Sequence, residues 1–173
     1  HPAGSGIAFE EGTEIENQVY DNFVCGSDGM TNPRNLDGRV GDGLWFAGYR
    51  NYFDRNVAAA NNGRFLGIIA SCGFSFVMDS AMAYGIKQPL YQGADTHDGD
   101  EGVEWEYVNA QRQAMLSFDG NESYCSRTGM TVWHLGCTGY EDVAPTVDET
   151  LVQDFVAWHF VDEGFFGYPH NNM

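Results

Sequence analysis

Positive charge is what this sequence has least of. A single lysine, Lys87, occurs in 173 residues, and 8 Lys and Arg together face 25 Asp and Glu, for a formal net charge of −17 and a pI near 4.3. A surface so short of cations is repelled by a phosphate backbone and by anionic lipid, which argues against nucleic acid as a partner and against membrane attachment. Long apolar runs are missing too. The most apolar stretch, Arg64–Lys87, is broken by Asp79 and by several Gly and Ser residues, so membrane insertion is not expected. No Gly-rich phosphate loop followed by Lys, no CxxC pair, no HExxH and no GxSxG occurs. Nucleotide hydrolysis, zinc of the usual spacing and the commonest serine-hydrolase signature therefore lack support.

A hydrophobic fraction of 43% and an aromatic fraction of 14% are enough for a folded core in a chain of this length. One compact domain over 1–173 is expected. It would have a lead-in at 1–6, long loops at 26–43 and 90–102, and an aromatic tail at 165–173. The stretch 64–86 is expected to be its buried centre. Alternation around Ile15, Asn17 and Val19 predicts strands ending near Cys25. Leu44–Phe46 and Met130–Cys137 also read as strands. Helical spacing of Tyr49, Phe53, Val57 and Ala60 predicts a helix up to the Asn61-Asn62-Gly63 stop. Further helices are expected over Cys72–Gly85, Val103–Phe118 and Thr146–Val161, the last opened by a capping box of Thr146 and Glu149. No internal repeat is evident. The class expected is α+β, with three to four helices and a small, mainly antiparallel sheet.

Four cysteines, an even number, suit two disulfides in an oxidising compartment. Cys25–Cys72 with Cys125–Cys137 is one of three possible pairings. The leading His1 reads as the start of a processed chain, and Asn121-Glu122-Ser123 is an acceptor sequon for glycosylation at Asn121. Together these features predict a secreted, extracellular protein.

Three functional readings follow. The first is a binding or structural domain that engages an extracellular ligand or copies of itself. Calcium is its candidate cofactor, because Asp95, Asp98, Asp100 and Glu104 cluster in a Gly-containing loop that can offer oxygen ligands. A solvated loop explains the same residues. The second is a thiol hydrolase using Cys72 and His134, since a thiolate beside an imidazole at a helix start is a nucleophile. Cys72-Gly73 with Tyr84-Gly85-Ile86, and His134 with Thr138-Gly139-Tyr140, resemble the Cys and His neighbourhoods of bacteriocin-processing cysteine peptidases. A Cys72 held in a disulfide is the competing account. The third is a copper oxidase built on His1. Its free amine and imidazole, with His134, His97 or His159, resemble the N-terminal copper site of lytic polysaccharide monooxygenases. The aromatic cluster Trp45, Phe46, Tyr49, Tyr52 and Phe53 reads either as a sugar-stacking surface or as one apolar face packed into the core.

Overall fold

The computed structural model describes residues 4–9, 14–29, 41–46, 50–61, 71–76, 86–89, 105–108, 114–133 and 150–168. Among them there is no helix. The strands are β1 (Ile7–Phe9), β2 (Gln18–Tyr20), β3 (Phe23–Cys25), β4 (Leu44–Phe46), β5 (Tyr52–Asp54), β6 (Val57–Ala59), β7 (Cys72–Phe76), β8 (Ile86–Pro89), β9 (Trp105–Val108), β10 (Ser117–Asp119), β11 (Glu122–Tyr124), β12 (Thr128–Trp133), β13 (Val152–Gln153), β14 (Val156–Trp158) and β15 (Phe165–Tyr168). Three sheets run in the orders β1-β4-β7-β12-β15, β2-β5-β10-β13 and β3-β6-β11-β14, and every pair within them is parallel. Each coil of chain gives one strand to each sheet in turn, so the molecule is a parallel β-solenoid. The lone antiparallel pair among the described residues is β8 with β9, which lies in sequence between β7 and β10.

The expected α+β class with its helices and mainly antiparallel sheet is therefore wrong, for a local reason. Most strands of the coil are only three residues long, too short to display alternation. Between the second and third strand of each coil sits one residue in the left-handed region: Asp21, Arg55, Gly120 and Asp154. A second such corner follows five residues later, at Gly26, Ala60, Cys125 and His159. Each corner resets which side chain points inward. Phe53 and Ala58 both end up fully buried, while the positive φ of Arg55 and Ala60 interrupts the spacing that had suggested a helix. Cys72–Phe76 is likewise a strand, the middle one of the five-stranded sheet and buried throughout. Val103–Phe118 and Thr146–Val161 contain strand segments instead of helices, and Thr146 and Glu149 lie outside the described residues.

The coil is also a repeat, contrary to expectation. Asn22 and Asn56 are 34 residues apart, but Asn56 and Asn121 are 65 apart. The enlarged third coil, which contains β8 and β9, hides the period. Corner side chains stack into hydrogen-bonded ladders. Asn22 donates its backbone N–H and Nδ2 to Asn56 Oδ1 at 3.1 and 2.9 Å. Asn56 does the same to Asn121 Oδ1 at 2.9 and 3.0 Å. Asn17 to Asn51, and Ser27 to Asn61 to Ser126, repeat the pattern at neighbouring corners. Such ladders satisfy backbone groups that a sharp corner would otherwise leave buried without partners.

Inside the coil an aromatic column runs from the first coil to the last. Phe9 meets Phe46, Phe46 meets Phe53 and Phe76, Phe76 meets Phe118, and Phe118 meets Phe155, with centroids 4.1–5.8 Å apart. Opposite the column, glycines let the five-stranded sheet approach the third sheet. An added Cβ on Gly43 would lie 2.6 Å from the Gly73 carbonyl oxygen and 2.9 Å from Ala58 Cβ. On Gly129 it would strike the Gly164 carbonyl oxygen and lie 2.8 Å from Ala157 Cβ. Backbone atoms cannot rotate away as a side chain can. Gly129→Ala is therefore expected to cost about 3 kcal/mol, at the upper end of overpacking. Chemical denaturation checks this, and a loss under 1 kcal/mol would show that the two coils are not so closely apposed.

Candidate functional site

The side chains that point out of the coil form rows, one residue per strand, because adjacent parallel strands are in register. On the third sheet one row is Phe23, Val57, Glu122 and Val156, and the other is Cys25, Ala59, Tyr124 and Trp158. Phe23, Val156 and Trp158 are 64%, 52% and 40% exposed. This face thus presents exposed apolar side chains beside the Glu122 carboxylate. The Tyr124 and Trp158 rings stack at 4.7 Å with an interplanar angle of 17°. Trp158 Nε1 donates to Glu122 Oε1 at 2.6 Å, and the His159 ring lies 4.8 Å from the indole. The hydrogen bond fixes the indole plane, so the platform is held in place before any ligand arrives.

The second sheet offers a polar flank around the corner. Its rows are Gln18, Tyr52 and Ser117, and Tyr20, Asp54, Asp119 and Gln153. Ser117 Oγ donates to Asp54 Oδ1 at 2.5 Å, as does the Asp119 amide at 3.2 Å. Arg55 lies 5.5 Å from the Tyr20 ring centroid and pairs with Asp21 at 2.8 Å, which holds the Asp21 carboxyl below its ordinary range. In the aromatic cluster, Trp45, Phe46 and Phe53 are buried and Tyr52 is half-buried, and Tyr49 lies outside the described residues. The aromatic platform, exposed Trp158 on half-buried Tyr124, was not singled out from sequence. Its two rings are 34 residues apart and meet only through coil stacking.

Cys72 lies fully buried at the start of β7. Its Sγ is 3.0 Å from Thr131 Oγ1, and its amide donates to Asp42 Oδ1 at 2.8 Å. Burial, and then the Asp42 charge, push its thiol well above the ordinary range, which is the opposite of what a thiolate nucleophile needs. Asp42 is itself fully buried. Desolvation raises its carboxyl to about 7, and the Cys72 amide only partly offsets that push. Its Oδ2 has no hydrogen-bond partner. His134, the partner required by a thiol hydrolase, lies outside the described residues, as do His1, His97, Asp95, Asp98, Asp100 and Glu104.

The expected disulfides are not formed. Cys25 is free and exposed, Cys72 free and buried, Cys125 free and exposed, and Cys137 lies outside the described residues. Cys25 and Cys72 belong to different sheets, so the link between the N-terminal region and the central stretch is made by strand pairing. Metal binding is not supported either. Among the described residues no group of three or more His, Cys, Asp or Glu could hold an ion. The sequon residue Asn121 is fully buried, and its Nδ2, the atom a glycan would occupy, donates to the Phe53 carbonyl at 2.6 Å. A glycan there and an intact ladder are mutually exclusive.

No protein-family model matches the chain, and no match is found among curated proteins or solved structures.

Proposed function

We propose that the chain is an extracellular recognition module, a rigid solenoid whose third-sheet flank binds an extended, uncharged polysaccharide. The observation that carries this reading is the exposed Trp158, stacked on the half-buried Tyr124 ring, on a face with Phe23 and Val156 and anchored by Glu122. Aromatic faces stack on the C–H faces of pyranose rings, and carboxylates accept hydrogen bonds from hydroxyls. Rows repeating every strand, about 4.8 Å apart, suit a polymer of similar repeat better than a compact ligand. The net charge of −17 disfavours polyanions. The polar flank with Tyr20, Tyr52, Asp54 and Asp119 extends the hydrogen-bonding surface past the corner.

Trp158→Ala is expected to weaken binding to a neutral glucan or xylan roughly tenfold, which is about 1.4 kcal/mol, without lowering the melting temperature by more than a few degrees. Affinity electrophoresis in gels containing each polysaccharide, supported by tryptophan fluorescence, measures this. If no neutral polysaccharide retards the unaltered chain, or the variant is retarded equally, the reading fails.

A further inference from the structure

The third sheet runs β3-β6-β11-β14, and each of its two outermost strands carries an exposed aromatic ring. Phe23 stands on β3 and Trp158 on β14, 64% and 40% exposed. The side chains between them are more covered. On β6 Val57 is half-buried and Ala59 is buried, and on β11 Glu122 and Tyr124 are half-buried. The strand register fixes how the two rings are offset. Phe23 shares its row with Val57, Glu122 and Val156, whereas Trp158 ends the neighbouring row of Cys25, Ala59 and Tyr124. Three strand spacings separate the two residues across the sheet and two residue steps separate them along it, about 14 Å by about 7 Å, which places their backbones about 16 Å apart. The side-chain ladders hold successive coils in register, so this separation is set before any ligand arrives.

We propose that Phe23 is a second sugar-stacking platform, and that together with Trp158 it selects an extended, β-linked neutral chain of at least four sugars. This rests on the polysaccharide-binding reading of the flank and states which polysaccharides fit it. A span of about 16 Å is three repeats of about 5 Å, close to the strand spacing. A polymer of that repeat therefore sets one sugar on Phe23 and the third sugar after it on Trp158. The two sugars between them cross β6 and β11, where the Glu122 carboxylate can accept from their hydroxyls. Equatorial β-linkages keep successive pyranoses in a nearly straight line, so both end sugars lie on one face of the sheet. Axial α-linkages, as in starch, curve the chain over the same number of sugars and lift one end away. A di- or trisaccharide reaches only one ring. The fourth sugar engages the second ring within a complex already formed, so affinity rises in a step at that length instead of evenly with each sugar.

Calorimetric titration of the full chain with cello- and xylo-oligosaccharides of two to six sugars, and with malto-oligosaccharides of the same lengths, tests this. The β-linked tetrasaccharides are expected to bind about tenfold more tightly than the trisaccharides, and the fifth and sixth sugars to add less than about threefold. The malto-oligosaccharides are expected to show no such step. Phe23→Ala is expected to abolish the step, and Phe23→Trp, which offers a larger ring, to enlarge it. Thermal melts establish that both variants are folded. Should Phe23→Ala fold poorly, the gain expected from Phe23→Trp still decides the matter. A smooth rise with length, or a step that survives Phe23→Ala, overturns the inference while leaving the Trp158 platform as a binding site. So does a malto-oligosaccharide series that matches the β-linked one. If no oligosaccharide and no neutral polysaccharide binds, the reading of the flank fails and this inference with it.

Discussion

Asn121→Ala is expected to destabilise the solenoid by roughly 3–5 kcal/mol and to lower the melting temperature by about 10 °C. The side chain sits at the middle of the best-formed ladder. Its Oδ1 accepts from Asn56 N–H and Asn56 Nδ2, and its Nδ2 donates to the Phe53 carbonyl. Alanine leaves the Asn56 amide hydrogen and the Phe53 carbonyl oxygen buried without these partners. Each orphaned polar group costs about 1–3 kcal/mol, and the cavity left by the lost side chain adds to that. Ser123→Ala is the matched control. It removes the same sequon, yet the Ser123 hydroxyl is buried with no hydrogen-bond partner, so its loss is expected to be close to neutral. Equilibrium urea unfolding of the two variants separates the ladder from the sequon. A loss below 1 kcal/mol for Asn121→Ala would mean that the third-sheet corners are not joined as described.

The second large effect depends on pH. Asp42 is fully buried, and its carboxyl is raised to about 7 against an ordinary value of 3.8. Between those values the folded chain holds a proton that the unfolded chain has released. Unfolding free energy therefore falls as pH rises through this window and levels off above it. A shift of about three pKa units corresponds to roughly 4 kcal/mol. Asp42→Asn keeps an oxygen to accept the Cys72 N–H and cannot ionise. The variant is expected to match the unaltered chain near pH 4 and to be more stable by a few kcal/mol at pH 8. Carboxylates paired with arginine, such as Asp21 with Arg55, slope the other way, so the quantity to plot is the difference between the two proteins. A difference independent of pH from 4 to 8 would show that Asp42 ionises freely in the folded state.

Both effects arise from residues that are unremarkable one at a time. An asparagine between Gly120 and Glu122 reads as a turn or a sequon. An aspartate between Gly41 and Gly43 reads as loop. The role of Asn121 comes from neighbours 65 and 68 residues away, and that of Asp42 from Cys72, on a strand 30 residues on. The same holds for the Tyr124–Trp158 platform. Ion pairs follow the coil too: Arg50 with Glu16, Arg55 with Asp21 and Arg127 with Asp162 each join residues 34 or 35 apart.

Composition and short-range pattern settled what they could physically encode. The acidic excess set the sign of the surface. The apolar clusters placed strands at Leu44–Phe46, near Val19 to Cys25 and from Met130 onward, where the structure has strands, because runs of bulky residues favour extended backbone wherever they are buried. The arrangement of those strands was beyond local reading. Three-residue strands give no alternation, left-handed corners occupied by Asp, Arg, Cys and His carry no glycine signal, and the 65-residue third coil masks the repeat. Only the stacking of one coil on the next decided that the strands are parallel, that Cys72 is buried in a sheet with a buried aspartate for a neighbour, and that two distant aromatic rings share one face. In a solenoid the partner of nearly every residue is one coil away, and the distance in sequence to that partner is set by the loops, which local pattern does not constrain.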